Sequence, residues 1–173
     1  MEKFESELSK KINRKYGIAC SNGTAALDLA VAALKIGPGD EVIMPTFTII
    51  SCALAIIKSG AKPVLVDSDP NTWNMNINAV ENVITPRTIA IMAVHIYGLP
   101  VDMDPLKKIA RKYGLYIIED AAELIGAKYK ENPVGSCQYS DITVFSFHPV
   151  KIITTGEGGM CTTNSPELAN LLC

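Results

Sequence analysis

Lys151 falls between an apolar run ending at Ser146-Phe147 and the glycine-rich stretch Gly156-Glu157-Gly158-Gly159. An ammonium held among apolar neighbours loses solvation, its pKa drops, and the free amine becomes a nucleophile able to form a Schiff base with a carbonyl. A lysine reaching from a loop into solvent would leave the same local pattern. Asp120 closes the apolar segment LYIIED and is followed by Ala121-Ala122-Glu123. Ligands of open α/β sheets collect at the carboxyl ends of strands, so this carboxylate either meets a bound cation or serves as a cap or structural ion pair. Ser21-Asn22-Gly23-Thr24 stands directly before an apolar helix. Free amides and the helix dipole make such a terminus an anion site, and Gly23 permits close approach; an ordinary helix cap reads the same way.

These groups lie far apart along the chain, so a fold must bring them together. Helix and strand alternate almost throughout, which predicts α/β architecture: three layers, α/β/α, around a mostly parallel sheet. Residues 2–15 read as an amphipathic helix. Residues 24–35 (TAALDLAVAALK) are apolar nearly all round and read as a buried helix stopped by Gly37-Pro38-Gly39. EVIMP at 41–45 reads as a strand, 48–58 as a helix, and KPVLVD at 62–67 as a buried strand. Residues 68–75 read as a loop in which Trp73 packs locally. A short helix is expected near 77–84 and a strand at 88–96. A helix opened by Asp104-Pro105 and ended by Gly114 is expected next, then a strand at 115–120. Short β segments fill 126–164, and Ser165-Pro166-Glu167 starts a last helix. No repeat or linker divides residues 1–173, which read as one domain.

Composition narrows the class. Hydrophobic residues at 48% against 20% charged predict a packed core rather than disorder. A formal net charge of -2 gives no footprint for nucleic acid or an anionic membrane surface. The longest apolar stretch, near 49–57, is too short to span a bilayer. The charged N-terminus has no following apolar region, so no secretory signal is read and a cytoplasmic location is expected. Five scattered cysteines without a C-x-x-C pair, and only two histidines, predict reduced cysteines packed as small hydrophobes and no metal site.

Six stretches, SNGTAAL, GPGDEVIMPTFT, AKPVLVD, IYGLPVDMDP, YGLYIIEDAAE and SFHPVKIITTGEGGM, together resemble the DegT/DnrJ/StrS family of sugar aminotransferases, enzymes of pyridoxal-phosphate (PLP) fold type I. The resemblance covers the chain from about Phe4 onward. It implies PLP as cofactor, with Lys151 matching the lysine that carries it covalently and moves the proton. Asp120 matches the partner of the pyridinium nitrogen. Gly23 and Thr24 match the phosphate-binding turn, and Ser146 a hydroxyl on the same phosphate. Glu123 falls near the cofactor's phenolic oxygen, where the family often has Gln or His and the perosamine-synthase branch has acidic residues. Ile49 falls where an aromatic ring often stacks on the cofactor, and implies a weaker apolar contact. His95 lies close to the site without an assigned role, and His148 is expected to pack or to support the site indirectly.

The resemblance further implies transfer of an amino group, from glutamate, to a nucleotide-linked 4-keto-6-deoxy sugar. VDSDPNTWNMN and VHIYGLPVDMDP favour the branch making GDP-perosamine for surface polysaccharide, whereas SFHPVK also resembles branches using UDP-linked sugars. A homodimer is implied. Related 3-dehydratases replace the lysine with histidine, which Lys151 argues against. Family members are longer, so the chain reads as an incomplete large domain without the smaller C-terminal domain. By itself such a piece is expected to be inactive and poorly soluble, and a non-catalytic remnant with only cofactor-binding or dimerising capacity is the alternative reading.

Overall fold

The computed structural model describes residues 1–173. In chain order the elements are α1 (Glu2–Lys11), β1 (Tyr16–Cys20), α2 (Gly23–Ala33), β2 (Glu41–Pro45), α3 (Ile50–Lys58), β3 (Lys62–Val66) and α4 (Ile77–Val80), the last continued by a 3-10 turn. There follow β4 (Thr88–Val94), α5 (Met103–Tyr113), β5 (Tyr116–Asp120), β6 (Lys128–Tyr129), β7 (Asn132–Pro133), β8 (Ile142–Ser146), β9 (Gly159–Thr163) and α6 (Pro166–Leu172). Seven strands form one sheet in the order β1-β9-β8-β5-β4-β2-β3. Only β9 runs against its neighbours; the remaining pairings are parallel.

Strand residues alternate between two buried faces. Val42, Met44, Ala90, Met92, Val94, Ile118 and Val144 pack against α2, α3 and α6. Ile43, Ile91, Ala93 and Ile117 pack against Met103, Leu106 and Ala110 of α5. Leu8 of α1 and Ile12 just after it meet Phe145, Phe147 and Met160 nearby. The three-layer α/β/α architecture expected from the alternation is the one observed. The helix ends follow local chemistry: Asn22 and Ser165 cap α2 and α6 through their side chains, and Gly114 ends α5 in the left-handed region at φ 67°.

Two expectations need correction. The first helix stops at Lys11, and Tyr16–Cys20 form an edge strand paired with β9. The chain turns at Asn13 (φ 59°), which lets the buried Arg14 donate to Gly135 O, Ser140 O, Ser140 Oγ and Thr143 Oγ1. β3 is an edge strand, with only Val66 buried, so its apolar run covers the sheet margin rather than its middle. Trp73 packs locally as expected, on the ring of Phe47, while remaining 56% exposed.

Arg14 belongs to a polar cluster beneath the sheet's carboxyl end. Glu119, fully buried, accepts hydrogen bonds from His95 Nε2 (3.0 Å), Gly135 N (3.0 Å), Ser140 Oγ (2.5 Å) and Thr143 Oγ1 (3.1 Å). Burial alone would push its carboxyl up; the hydrogen bonds from His95 and Ser140 and the Arg14 charge outweigh it and hold the group below its usual range. Stability from Glu119 is therefore present above the ordinary glutamate pKa of about 4.3 and is lost as pH falls through the depressed folded value. Glu119→Gln should destabilise the fold by about 3–5 kcal/mol near neutrality. Urea unfolding across pH checks this: the gap to the parent should close toward low pH, and a gap constant with pH would contradict the assignment.

Candidate functional site

The carboxyl ends of β4, β5 and β8 open onto a cleft of about 310 Å³, walled on one side by the N-terminus of α2 and on another by the start of α3. Every residue singled out from the sequence as a site residue lines it: Gly23, Thr24, Ile49, Asp120, Glu123, Ser146 and Lys151, with His95 and His148.

The α2 end of the cleft is built to receive an anion. Asn22 Oδ1 takes the Ala25 amide (2.8 Å) and its carbonyl takes that of Ala26 (3.0 Å). The first two helical amides, those of Gly23 and Thr24, have no preceding turn to bond to. The hydroxyls of Thr24 and Ser51 lie 3.0 Å apart at the same corner, and Ser146 closes it from the end of β8. Gly23 is required by contact: a Cβ there would lie 2.8 Å from Ser146 Cβ. Gly159, opening β9, packs on the Asn22 carbonyl so closely that a Cβ would collide with it. Small residues on two strands thus set the position of the helix end.

Asp120 is buried at 3% exposure, deeper in the cleft. Its Oδ1 accepts from the Ala122 amide (3.0 Å) and its Oδ2 from the Cys52 thiol (3.3 Å). No cation lies within ion-pair distance of it. Burial pushes the Asp120 carboxyl up, and the Ala122 and Cys52 hydrogen bonds offset that only in part. A buried carboxylate with two neutral partners has room for a cationic N–H donor.

Lys151 Nζ reaches back into the cleft, with its side chain 17% exposed, and donates to Glu123 Oε1 at 3.3 Å. Glu123 Oε2 in turn accepts the Tyr97 amide at 3.2 Å. The lysine is thus paired with a carboxylate, where the sequence suggested apolar surroundings alone. Ile49 is 58% exposed at the mouth. His95 is buried: its Nδ1 accepts the Val101 amide (3.1 Å), which leaves the proton on Nε2, donated to Glu119. His148 is an exposed rim residue rather than a packed one, its Nε2 4.0 Å from Glu157. Sequence reasoning missed Thr48, Ser51 and Cys52. Ser51 and Cys52 sit on the first turn of α3 and Thr48 just ahead of its N-cap Ile49, but nothing local signals that Ser51 meets Thr24 or that Cys52 meets Asp120. Of the cysteines, Cys52 and Cys161 are buried as expected, while Cys137 and Cys173 are exposed.

These groups fit PLP on the structure's own terms. An anion cradle, an amine and a buried carboxylate short of a cation are the partners that a phosphate, an aldehyde and a protonated pyridine nitrogen need.

The model of the DegT/DnrJ/EryC1/StrS aminotransferase family matches residues 1–172. A GDP-perosamine synthase of Caulobacter vibrioides is 52% identical over 166 residues, 96% of this chain and 44% of that protein. A UDP-N-acetyl-3-dehydro-alpha-D-glucosamine 3-aminotransferase of Acidithiobacillus ferrooxidans is 48% identical, over 98% of this chain and 46% of that protein. The solved structure of NtdA from Bacillus subtilis with bound cofactor PMP superposes with a TM-score of 0.93 at 39% identity, over 99% of this chain and 38% of that one. The chain spans less than half the length of each. Gly23→Ala should move Ser146 or the α2 terminus and weaken PLP binding by at least about tenfold, as loss of hydrogen bonds to a charged group does. Fluorescence titration with PLP measures this, and unchanged affinity would remove the α2 terminus from the cofactor site.

Proposed function

We propose, on the premise that the chain belongs to the DegT/DnrJ/EryC1/StrS aminotransferase family, that residues 1–173 form the cofactor-bearing large domain of a nucleotide-sugar aminotransferase. The observation that carries this reading is the convergence of Lys151, the cation-deficient Asp120 and the α2 anion cradle on one cleft. With these groups in place, the reading of a non-catalytic remnant has no structural support.

PLP supplies the electron sink and the amine carrier. The chain's own residues hold and orient it. The Gly23 and Thr24 amides and the Thr24, Ser51 and Ser146 hydroxyls take its phosphate. Asp120 takes its ring N–H and keeps that nitrogen protonated by charge attraction in a sheltered site. Lys151 Nζ is the amine that would hold it covalently and, when not so engaged, would serve as the general base and acid at the substrate carbon. Glu123, 3.3 Å from Nζ, pairs with the amine and, on the family placement of this residue, would be the carboxylate nearest the cofactor's phenolic oxygen. Ile49, on the cleft wall, would offer the ring an apolar contact.

The amino donor is glutamate and the acceptor a nucleotide-linked 4-keto-6-deoxy sugar, GDP-4-keto-6-deoxymannose in the first instance. Identity to a GDP-perosamine synthase supports the guanosine form, and similar identity to an enzyme named for a UDP-linked sugar marks UDP-keto sugars as the comparison substrates. The working form is a homodimer. Ile49, Ile50, Tyr97, Val150 and Ile152, all exposed around the mouth, form the apolar rim that a second copy would cover. No helix is long and apolar enough to cross a membrane. The role proposed with the GDP-linked substrate is synthesis of surface polysaccharide from the cytoplasmic side.

Borohydride reduction followed by peptide mass spectrometry of the complete protein should find PLP on Lys151. Glutamate-dependent amination of the GDP-linked keto sugar should fall by about 10²–10⁴-fold or more in Lys151→Ala. A variant that still carries PLP covalently, or aminates at the parental rate, would overturn the assignment. Faster amination of a UDP-linked keto sugar would overturn the choice of nucleotide alone.

A further inference from the structure

Asp120 is held by a short relay that runs from Thr48, on the cleft wall, through Cys52, which does not line the cleft. Cys52, on the first full turn of α3, is fully buried, and its Sγ lies 3.3 Å from Asp120 Oδ2. Thr48 Oγ1 lies 3.3 Å from the same sulfur and donates to it. With that lone pair engaged, the thiol proton is left for Asp120, giving the order Thr48 O–H to Cys52 S to Asp120 Oδ2. Ala122 N–H fixes the other carboxylate oxygen at 3.0 Å. The carboxylate is therefore held at both oxygens by neutral donors from two different elements, α3 and the turn after β5.

We propose that Cys52, oriented by Thr48, is a positioning residue that sets both the aim and the basicity of Asp120. The inference rests on the reading of Asp120 as the partner of the cofactor's ring nitrogen. A thiol is a weak hydrogen-bond donor. It orients the carboxylate yet withdraws little of its negative charge, so Asp120 keeps the basicity needed to hold a proton on the ring. A hydroxyl in the same place would donate more strongly and make Asp120 a weaker partner. Burial beside the Asp120 charge also pushes the Cys52 thiol up, so it stays a donor throughout the physiological range. Glu119, the adjacent carboxylate, faces the opposite side of the sheet and is satisfied by its own partners, so Cys52 acts on Asp120 alone.

The test is the ¹⁵N chemical shift of PLP labelled at the ring nitrogen, bound to the complete protein, for the parent, Cys52→Ser, Cys52→Ala and Asp120→Asn. Circular dichroism confirms that each variant is folded. Cys52→Ser should move the resonance toward the unprotonated value, and Cys52→Ala should hold it at the protonated value or move it further that way. Cys52→Ala should also raise the PLP dissociation constant by about two- to tenfold, the range for one neutral hydrogen bond, because the carboxylate is no longer aimed. A purely structural cysteine would lower the melting temperature without Cys52→Ser moving the resonance away from that of Cys52→Ala. Asp120→Asn separates the two levels of the argument. If it leaves the resonance in place, the reading of Asp120 fails and this inference falls with it. If it shifts the resonance but neither Cys52 variant does, the role of Cys52 alone is overturned.

Discussion

A carboxylate taken out of water and given only neutral partners is the constraint around which this fold is arranged. Asp120 ends a central strand whose neighbours on both sides are parallel, at the level where β4, β5 and β8 all terminate. Parallel strands need crossovers, and the crossovers bring helix N-termini to the same edge of the sheet. The amides of Gly23 and Thr24 thus face the cleft from one side and the thiol of Cys52 touches Asp120 from another. The fold supplies an anion site and a buried negative charge to one small volume. Neither is fully satisfied by the protein itself.

The adjacent pair Glu119 and Asp120 shows how strand periodicity separates structural from functional charge. Successive side chains in a strand point to opposite faces. Glu119 turns to the side of α1 and the β6-β7 hairpin, where four donors and the nearby Arg14 hold it ionised and depressed in pKa. Asp120 turns to the cleft, where it has two neutral partners and a raised pKa. His95 joins the two levels: it lines the cleft, yet both ring nitrogens are engaged, by Glu119 and the Val101 amide. This makes it a brace for the end of β4 rather than a free acid or base.

Most of the frame is legible in the sequence because its signals are local. EVIMP coincides with β2, the Gly114 stop and the Ser165 cap act where expected, and the apolar helix begins at the S-N-G-T turn. What escapes is whatever depends on distant partners. YGIAC carries no clear alternation, and it is a strand because β9 lies beside it and Gly17 lets α1 approach. KPVLVD is apolar enough for the middle of the sheet, yet no strand pairs beyond it. Lys151, Asp120 and Gly23 stand out by their flanking residues, and the structure puts them in one cleft. Cys52, Ser51 and Arg14 look like ordinary helix or loop residues, since their partners lie on other elements.

The central claim is that Asp120 is held at a cost to the fold, which a bound cationic ring would offset. Its folded pKa is raised, so the penalty is absent below the ordinary aspartate value of about 3.9 and grows as pH rises toward the folded value. Chemical denaturation of the cofactor-free protein and its Asp120→Asn variant across pH measures this directly. Asn can keep the Ala122 hydrogen bond and donate to the Cys52 sulfur without carrying charge. The account predicts that the variant is more stable than the parent at neutral pH, by about 1–4 kcal/mol as for replacement of other costly buried charges. That advantage should vanish toward pH 3. A variant less stable than the parent at pH 7, or an advantage independent of pH, would show that Asp120 is an ordinary satisfied structural carboxylate.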